Sequence, residues 1–181
     1  MATALGFCVF DTAIGPCGMA WGAQALVGVQ LPGTDAQATR RRMQSRFADT
    51  PETTPPEAVQ AVIARVRKLL QGEPDSLLDV ALDMEGVPPF HQRVYALARA
   101  IPPGRTMTYG EMAQQLGEPG AARAVGQALG HNPFAPVVPC HRILAAGGRG
   151  GGFSATGGVD TKLKMLEIER AQVNGPGLFD A

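Results

Sequence analysis

Between Phe7 and Leu31 short apolar stretches alternate with glycine and proline: Phe7-Cys8-Val9-Phe10, Met19-Ala20-Trp21 and Leu26-Val27-Gly28-Val29. Runs of this length and composition, bounded by breakers, predict an antiparallel hairpin or meander with its turn at Gly15-Pro16-Cys17-Gly18. Residues 35–47 have helical composition and carry Arg40-Arg41-Arg42, where a solvated helix face is favoured over a nucleic-acid patch. Pro55-Pro56-Glu57 puts proline and an acid in the first turn of a second helix. Val59, Val62, Ile63, Val66, Leu69 and Leu70 then recur at helical spacing as far as Gly72. Leu77 to Leu82 reads as a strand. Met84-Glu85-Gly86-Val87-Pro88-Pro89 reads as a linker, which divides the chain into an N-terminal sheet-containing domain, 1–86, and a C-terminal domain, 87–181.

Past the linker the period becomes helical. Phe90, Val94, Leu97 and Ile101 share one face of a helix that stops at Pro102-Pro103-Gly104. Thr108 and Glu111 have the spacing of a capping box at the start of a short helix ending at Leu116-Gly117. A turn at Gly117-Glu118-Pro119-Gly120 leads to a second helix. There Ala121, Ala124, Val125, Ala128 and Leu129 form an inward stripe, and Arg123 and Gln127 lie one turn apart on the other face. The pair fits a helix-turn-helix or any other αα-hairpin. The small surface of the second helix, with Ala121, Ala122 and Gln127 around one arginine, suits close approach to a nucleic-acid groove. Ile143-Leu144-Ala145-Ala146 reads as a short strand. The glycine run 147–152 lacks the Lys-Ser/Thr ending of a phosphate loop and reads as a mobile loop beside an active site. A last helix is expected from Asp160 to Ala171 with Leu163, Leu166 and Ile168 inward, followed by a loose tail from Asn174. The elements together make an α+β chain: a sheet-bearing first half and a mainly helical second half.

Composition refines this picture only in places. The 181 residues include 45% hydrophobic types and 16 basic against 16 acidic side chains, so total charge names no partner. The halves differ: residues 1–89 hold 7 basic and 10 acidic side chains, residues 90–181 hold 9 and 6, and the second half could meet a polyanion. No apolar run approaches the roughly 20 residues of a membrane helix, and the N-terminus has no basic region ahead of an apolar one. Cys8, Cys17 and Cys140 form no CxxC pair, which points to a reducing, cytoplasmic setting. All three histidines lie in the other half from Cys8 and Cys17, so no metal site is expected.

The chemistry concentrates in Asn132-Pro133-Phe134-Ala135-Pro136-Val137-Val138-Pro139-Cys140-His141-Arg142. A free cysteine is often a small buried hydrophobe. An imidazole beside it can take the thiol proton and stabilise the thiolate, the attacking species, so Cys140 is read as a nucleophile.

From Phe90 to Glu169 a series of motifs occurs in order: Phe90-His91-Gln92-Arg93-Val94-Tyr95, Ile101-Pro102-Pro103-Gly104-Arg105-Thr106, Thr108-Tyr109-Gly110, Arg123-Ala124-Val125-Gly126, Asn132-Pro133, Pro139-Cys140-His141-Arg142, Gly152-Phe153-Ser154, and Lys162 leading to Leu166 and Glu169. This series resembles the O6-alkylguanine-DNA alkyltransferases, also called methylated-DNA–protein-cysteine methyltransferases. The first half matches in layout only, resembling that family's N-terminal domain with its ribonuclease H-like arrangement. The resemblance implies a monomeric, single-use DNA-repair protein that binds duplex DNA through the minor groove and moves an alkyl group from O6 of guanine onto Cys140. It needs no cofactor, because damaged DNA is the donor. His141 would activate Cys140 through a bound water, Glu169 would orient the imidazole, and Asn132 would brace the active-site segment. Arg123 would fill the space left by the extruded nucleotide. Tyr109 would bond the flipped guanine or help to rotate its phosphate, and Ser154 would donate toward O6. The carbonyls of Cys140 and Ile143 would accept from the exocyclic amine, while Phe153 and Leu129 would line the pocket. Three positions depart from the family pattern: Phe153 stands where tyrosine is common, the stretch from Ser154 to Gly158 is longer, and Tyr95 replaces a frequent tryptophan. Two other readings are a lesion sensor that binds alkylguanine without transfer, against which Cys140 argues, and a cysteine hydrolase, which would give Arg123 no purpose.

Overall fold

In the computed structural model of the chain, residues 3–146 and 158–171 are described, residues 158 and 159 by their backbone alone. The glycine run and the tail from Asn174 lie outside them. The described residues form a mixed α/β fold in which a small sheet is packed with helices.

The apolar runs of the first half become β1 (Gly6–Thr12), β2 (Gly15–Trp21) and β3 (Leu26–Gln30), an antiparallel meander in chain order. Its first turn falls earlier than expected, at Ala13 and Ile14, with Thr12 opposite Gly15. The Thr12 hydroxyl closes that turn, accepting from the Ile14 amide at 3.2 Å and donating to the Gly15 carbonyl at 2.7 Å. The second glycine of the expected turn serves packing instead. A Cβ on Gly18 would stand 2.6 Å from Cγ of Met43, on the helix that lies over the sheet.

That helix, α1 (Ala36–Arg46), starts where the Asp35 carboxylate accepts from the Ala38 amide at 2.8 Å, and it buries Thr39 and Met43. Arg40 pairs with Glu52 at 2.7 Å at the surface, and Arg41 and Arg42 are exposed. Helix α2 (Glu57–Leu69) turns Val59, Ile63, Val66 and Leu69 inward. Leu77 to Leu82 is a loop, not a strand. Asp75 accepts from the Leu77 amide at 2.9 Å, Leu77 takes φ +54°, and Arg65 of α2 holds Asp75 and Asp79 at 2.8 Å each. The backbone is thereby curled around a guanidinium, and of the expected strand Leu82 alone forms a bridge, to Leu26.

Pro88 and Pro89 open α3 (Pro89–Arg99), which buries Val94, Tyr95 and Ala98. The two-residue strand β4 (Met107–Thr108) runs parallel to β5 (Ile143–Leu144). Between them lie α4 (Tyr109–Gln115), with both bonds of the Thr108/Glu111 capping box at 3.0 Å, and α5 (Ala122–Gly130). Helix α5 buries Val125, Ala128 and Leu129 and exposes Arg123 and Gln127, as its sequence stripe requires. The last helix, α6 (Gly158–Ile168), is rotated from expectation: Leu163 is 37% exposed, while Lys162, Met165 and Leu166 are buried. It ends at Ile168, which leaves Glu169 in the turn beyond it. One apolar cluster runs from β1–β3 through α2, α3 and α5 to the segment 134–143. Among the described residues no helix is long and apolar enough to cross a membrane.

Candidate active site

The segment after α5 leaves regular structure with many backbone groups to satisfy, and Asn132 satisfies two of them. Its Oδ1 accepts from the Phe134 amide at 2.9 Å, and its Nδ2 donates to the Val138 carbonyl at 2.8 Å. A bent apolar segment is thus held across its own base, and Cys140 follows in a 3-10 turn, Cys140–Arg142, at 5% exposure.

Beneath that turn lies an ionic network. His141 Nε2 sits 2.9 Å from Glu169 Oε2. Arg142 donates from Nε to Glu169 Oε1 at 2.9 Å and from Nη2 to Oε2 at 2.7 Å, and its Nη1 donates to the Ile101 carbonyl at 2.7 Å. All three side chains are at most 4% exposed. Burial works against the Glu169 charge, but the hydrogen bonds from Arg142 and His141 outweigh it and hold the carboxyl down at about 2. The carboxylate therefore stays ionised and takes the Nε2 proton as its hydrogen bond, which leaves Nδ1 as the basic nitrogen. Among the described residues Nδ1 is buried and has no hydrogen-bond partner.

Burial lowers the affinity of His141 for a proton and raises the Cys140 thiol. Asn132, the Lys162 charge and backbone amides pull the thiol in the other direction. At rest the pair is neutral thiol and neutral imidazole, with the fixed charges below it. Lys162 reaches into the same interior: its Nζ donates to the Ile143 carbonyl at 2.6 Å and stands 5.8 Å from the Tyr109 ring centroid, and burial brings it down to about 8. Cys8 and Cys17, by contrast, are pushed up to about 11 and 12, first of all by burial.

The structure thus brings together Cys140, His141, Asn132, Ile143 and Glu169. Leu129 joins them as the wall of a cavity of about 290 Å³ that Asn132 and Cys140 also line. Tyr109 opens α4, half-buried, and a Cβ on Gly126 would lie 3.8 Å from its ring, so α4 and α5 meet closely there. Ala121 and Ala122 are half-buried at the start of α5, and Arg123 and Gln127 face outward, apart from the cysteine network. Phe153 and Ser154 lie outside the described residues. Two side chains went unassigned in the sequence reading. Arg142 sat inside the signature with no role given to it, and its bidentate grip on Glu169 needed the fold to be seen. Lys162 was masked by the assumption that leucines define the buried face of α6. Among the described residues no three His, Cys, Asp or Glu side chains gather to hold a metal ion.

The chain matches known proteins along most of its length. A family model described as the DNA-binding domain of 6-O-methylguanine DNA methyltransferase covers residues 89–171. A methylated-DNA–protein-cysteine methyltransferase of Mycobacterium bovis is 37% identical over 162 residues, 90% of each chain. A DNA base-flipping protein of Thermus thermophilus is 42% identical over 120 residues, 64% of this chain and 79% of that one. Among solved structures, that of Mycobacterium tuberculosis OGT in complex with DNA is similar, with a TM-score of 0.73 and 35% identity over 93% of this chain and 96% of the other.

Proposed function

The chain belongs to the methylated-DNA–protein-cysteine methyltransferase family, and from that premise we propose that Cys140 accepts the alkyl group in a single transfer that consumes the protein. The activity is direct repair of duplex DNA: an alkyl group leaves O6 of guanine and stays on the protein.

The observation that carries the residue assignment is the 2.9 Å contact between His141 Nε2 and Glu169. It leaves Nδ1 with its lone pair, buried in the residue next to the thiol, as the base that takes the Cys140 proton through a water. The carboxylate, pinned by Arg142, stabilises the imidazolium that results. The thiolate attacks the alkyl carbon, the bond from that carbon to O6 breaks, and the proton ends on the departing guanine ring. Because the sulfur product is a thioether with no leaving group, nothing regenerates the thiol.

DNA reaches this site by rotation of the damaged nucleotide out of the stack, which costs a few kcal/mol and less for a weakly paired base. We read α4 and α5 as a helix-turn-helix that enters the minor groove. Arg123 takes the place of the extruded base, with Ala121, Ala122 and Gln127 alongside; the outward position of Arg123 and Gln127 supports this. Tyr109, Leu129, Phe153, Ser154 and the Cys140 and Ile143 carbonyls hold the guanine. In the same reading residues 1–86 are an N-terminal domain of ribonuclease H-like arrangement, residues 87–181 carry the chemistry, and the protein acts as a cytoplasmic monomer. Its three free cysteines fit a reducing compartment.

The test is incubation with duplex DNA carrying O6-methylguanine, followed by mass spectrometry of the protein. One methyl group on Cys140, absent in Cys140→Ser, is expected. Tight binding with Cys140 left unmodified would instead favour a lesion sensor, the reading suggested by the base-flipping relative.

A further inference from the structure

The cavity at Cys140 overlaps the expected guanine contacts only in part, through Leu129 and Cys140 itself. Tyr109 and Ile143 are absent from its wall, which is made by Leu129, Asn132, Ala135 and Cys140 on one side and by Gln30, Arg42 and Arg46 on the other. It reaches from Cys140 toward β3 and α1, and its volume of about 290 Å³ far exceeds a methyl group. In-line displacement aligns sulfur, carbon and O6, so whatever else the transferred carbon carries must project sideways from that line, and this cavity is open space beside Cys140.

Its charge is one-sided. Among the described residues no carboxylate lines it. Arg46, half-buried, donates among the described residues only to neutral oxygens: the Val29 carbonyl, Gln30 Oε1 and the Pro133 carbonyl, each at 3.0 Å. Arg42, one turn earlier on the same helix face, has no hydrogen bond or ion pair among the described residues, while its neighbour Arg40 is already committed to Glu52. Two cations share one wall with no anion among the described residues to answer them.

We propose that this cavity receives the transferred alkyl group and that Arg42 and Arg46 favour groups ending in a carboxylate, such as the carboxymethyl of O6-carboxymethylguanine. The inference rests on alkyl transfer to Cys140 as read above. In the step, the thiolate sulfur bonds to the methylene carbon, the bond from that carbon to O6 breaks, and the thiol proton passes by way of His141 to the guanine ring. The product is S-carboxymethylcysteine at position 140. Arg46 contributes charge from a position fixed by its three bonds, and the exposed Arg42 supplies the direct contact.

The test compares single-turnover rates on duplexes carrying O6-carboxymethylguanine, the uncharged O6-propylguanine and O6-methylguanine, for the unaltered protein, Arg42→Glu and Arg42→Lys. Arg42 is exposed, so the fold tolerates either change. Charge reversal is expected to slow carboxymethyl transfer about tenfold, a difference of about 1.4 kcal/mol, with the propyl and methyl rates changed less than twofold and the lysine variant close to unaltered. Equal slowing on all three adducts would mean that Arg42 contacts DNA phosphate, and it overturns the proposal, as does no slowing at all. Absence of methyl transfer by the unaltered protein overturns the alkyl-transfer reading itself; methyl transfer without the charge effect overturns the subsite alone.

Discussion

Two guanidinium groups are held against the segment that carries Cys140, and they are satisfied in opposite ways. Arg142 lies beneath the 3-10 turn, almost fully buried, with both Glu169 oxygens in its fork. Arg46 reaches the same segment from α1 and meets only amide oxygens, and burial together with the charge of Arg42 brings it down to about 10. Both immobilise backbone. Among the described residues only the first has its charge answered, and that answer does a second task, since the same carboxylate fixes which imidazole nitrogen is bare. A paired buried cation makes a closed unit that orients His141; an unpaired one leaves a field directed into open space.

The sharpest way to break the contrast is Glu169→Gln. It keeps the shape but strands the Arg142 charge, which should cost about 3–5 kcal/mol in denaturant unfolding, and it should slow alkyl transfer by roughly 10²–10⁴ as the base loses its partner. A signature in pH accompanies it. The Glu169 carboxyl is lowered to about 2 from an ordinary 4.5, so its stabilisation is complete above pH 4.5 and drains away as pH falls toward 2. The unaltered protein should show that slope in its unfolding midpoint, and Glu169→Gln should lack it. Arg46→Gln should cost less, about 2 kcal/mol, because what it strands are neutral acceptors. If the two variants were equally destabilised, pairing would not be what separates the two arginines. Smallest of all, Arg40→Ala breaks an exposed pair with Glu52 and should leave the midpoint unmoved. A clear drop there would mean that surface pairing on α1 matters more than burial.

What could be read from the sequence was whatever local spacing encodes. The capping box, the α5 stripe with Arg123 and Gln127 outward, and the order of Asn132, Cys140, His141 and Glu169 all stand in the chain as short-range patterns, and the fold brings the last four together. What escaped was set by partners far away. Gly18 looked like a turn residue because its reason for being glycine is Met43, on another element. Leu77 to Leu82 looked like a strand because nothing local announces that Arg65 will gather Asp75 and Asp79. The α6 face was misjudged because a lysine with a carbonyl waiting for it can displace a leucine from the interior. The Arg46 bond to Pro133 joins positions 87 residues apart, a distance no periodicity spans.

The sheet beneath α1 has two places where a side chain is missing. A methyl at Gly18 would strike Met43, and one at Gly28 would strike Phe47 and stand 2.8 Å from an Arg46 nitrogen. These gaps are notches into which the helix drops, and the depth of the seat determines how far its last arginine extends toward Pro133. A single added carbon at Gly28 would therefore lift the guanidinium from its anchor and loosen the wall of the cavity beside Cys140.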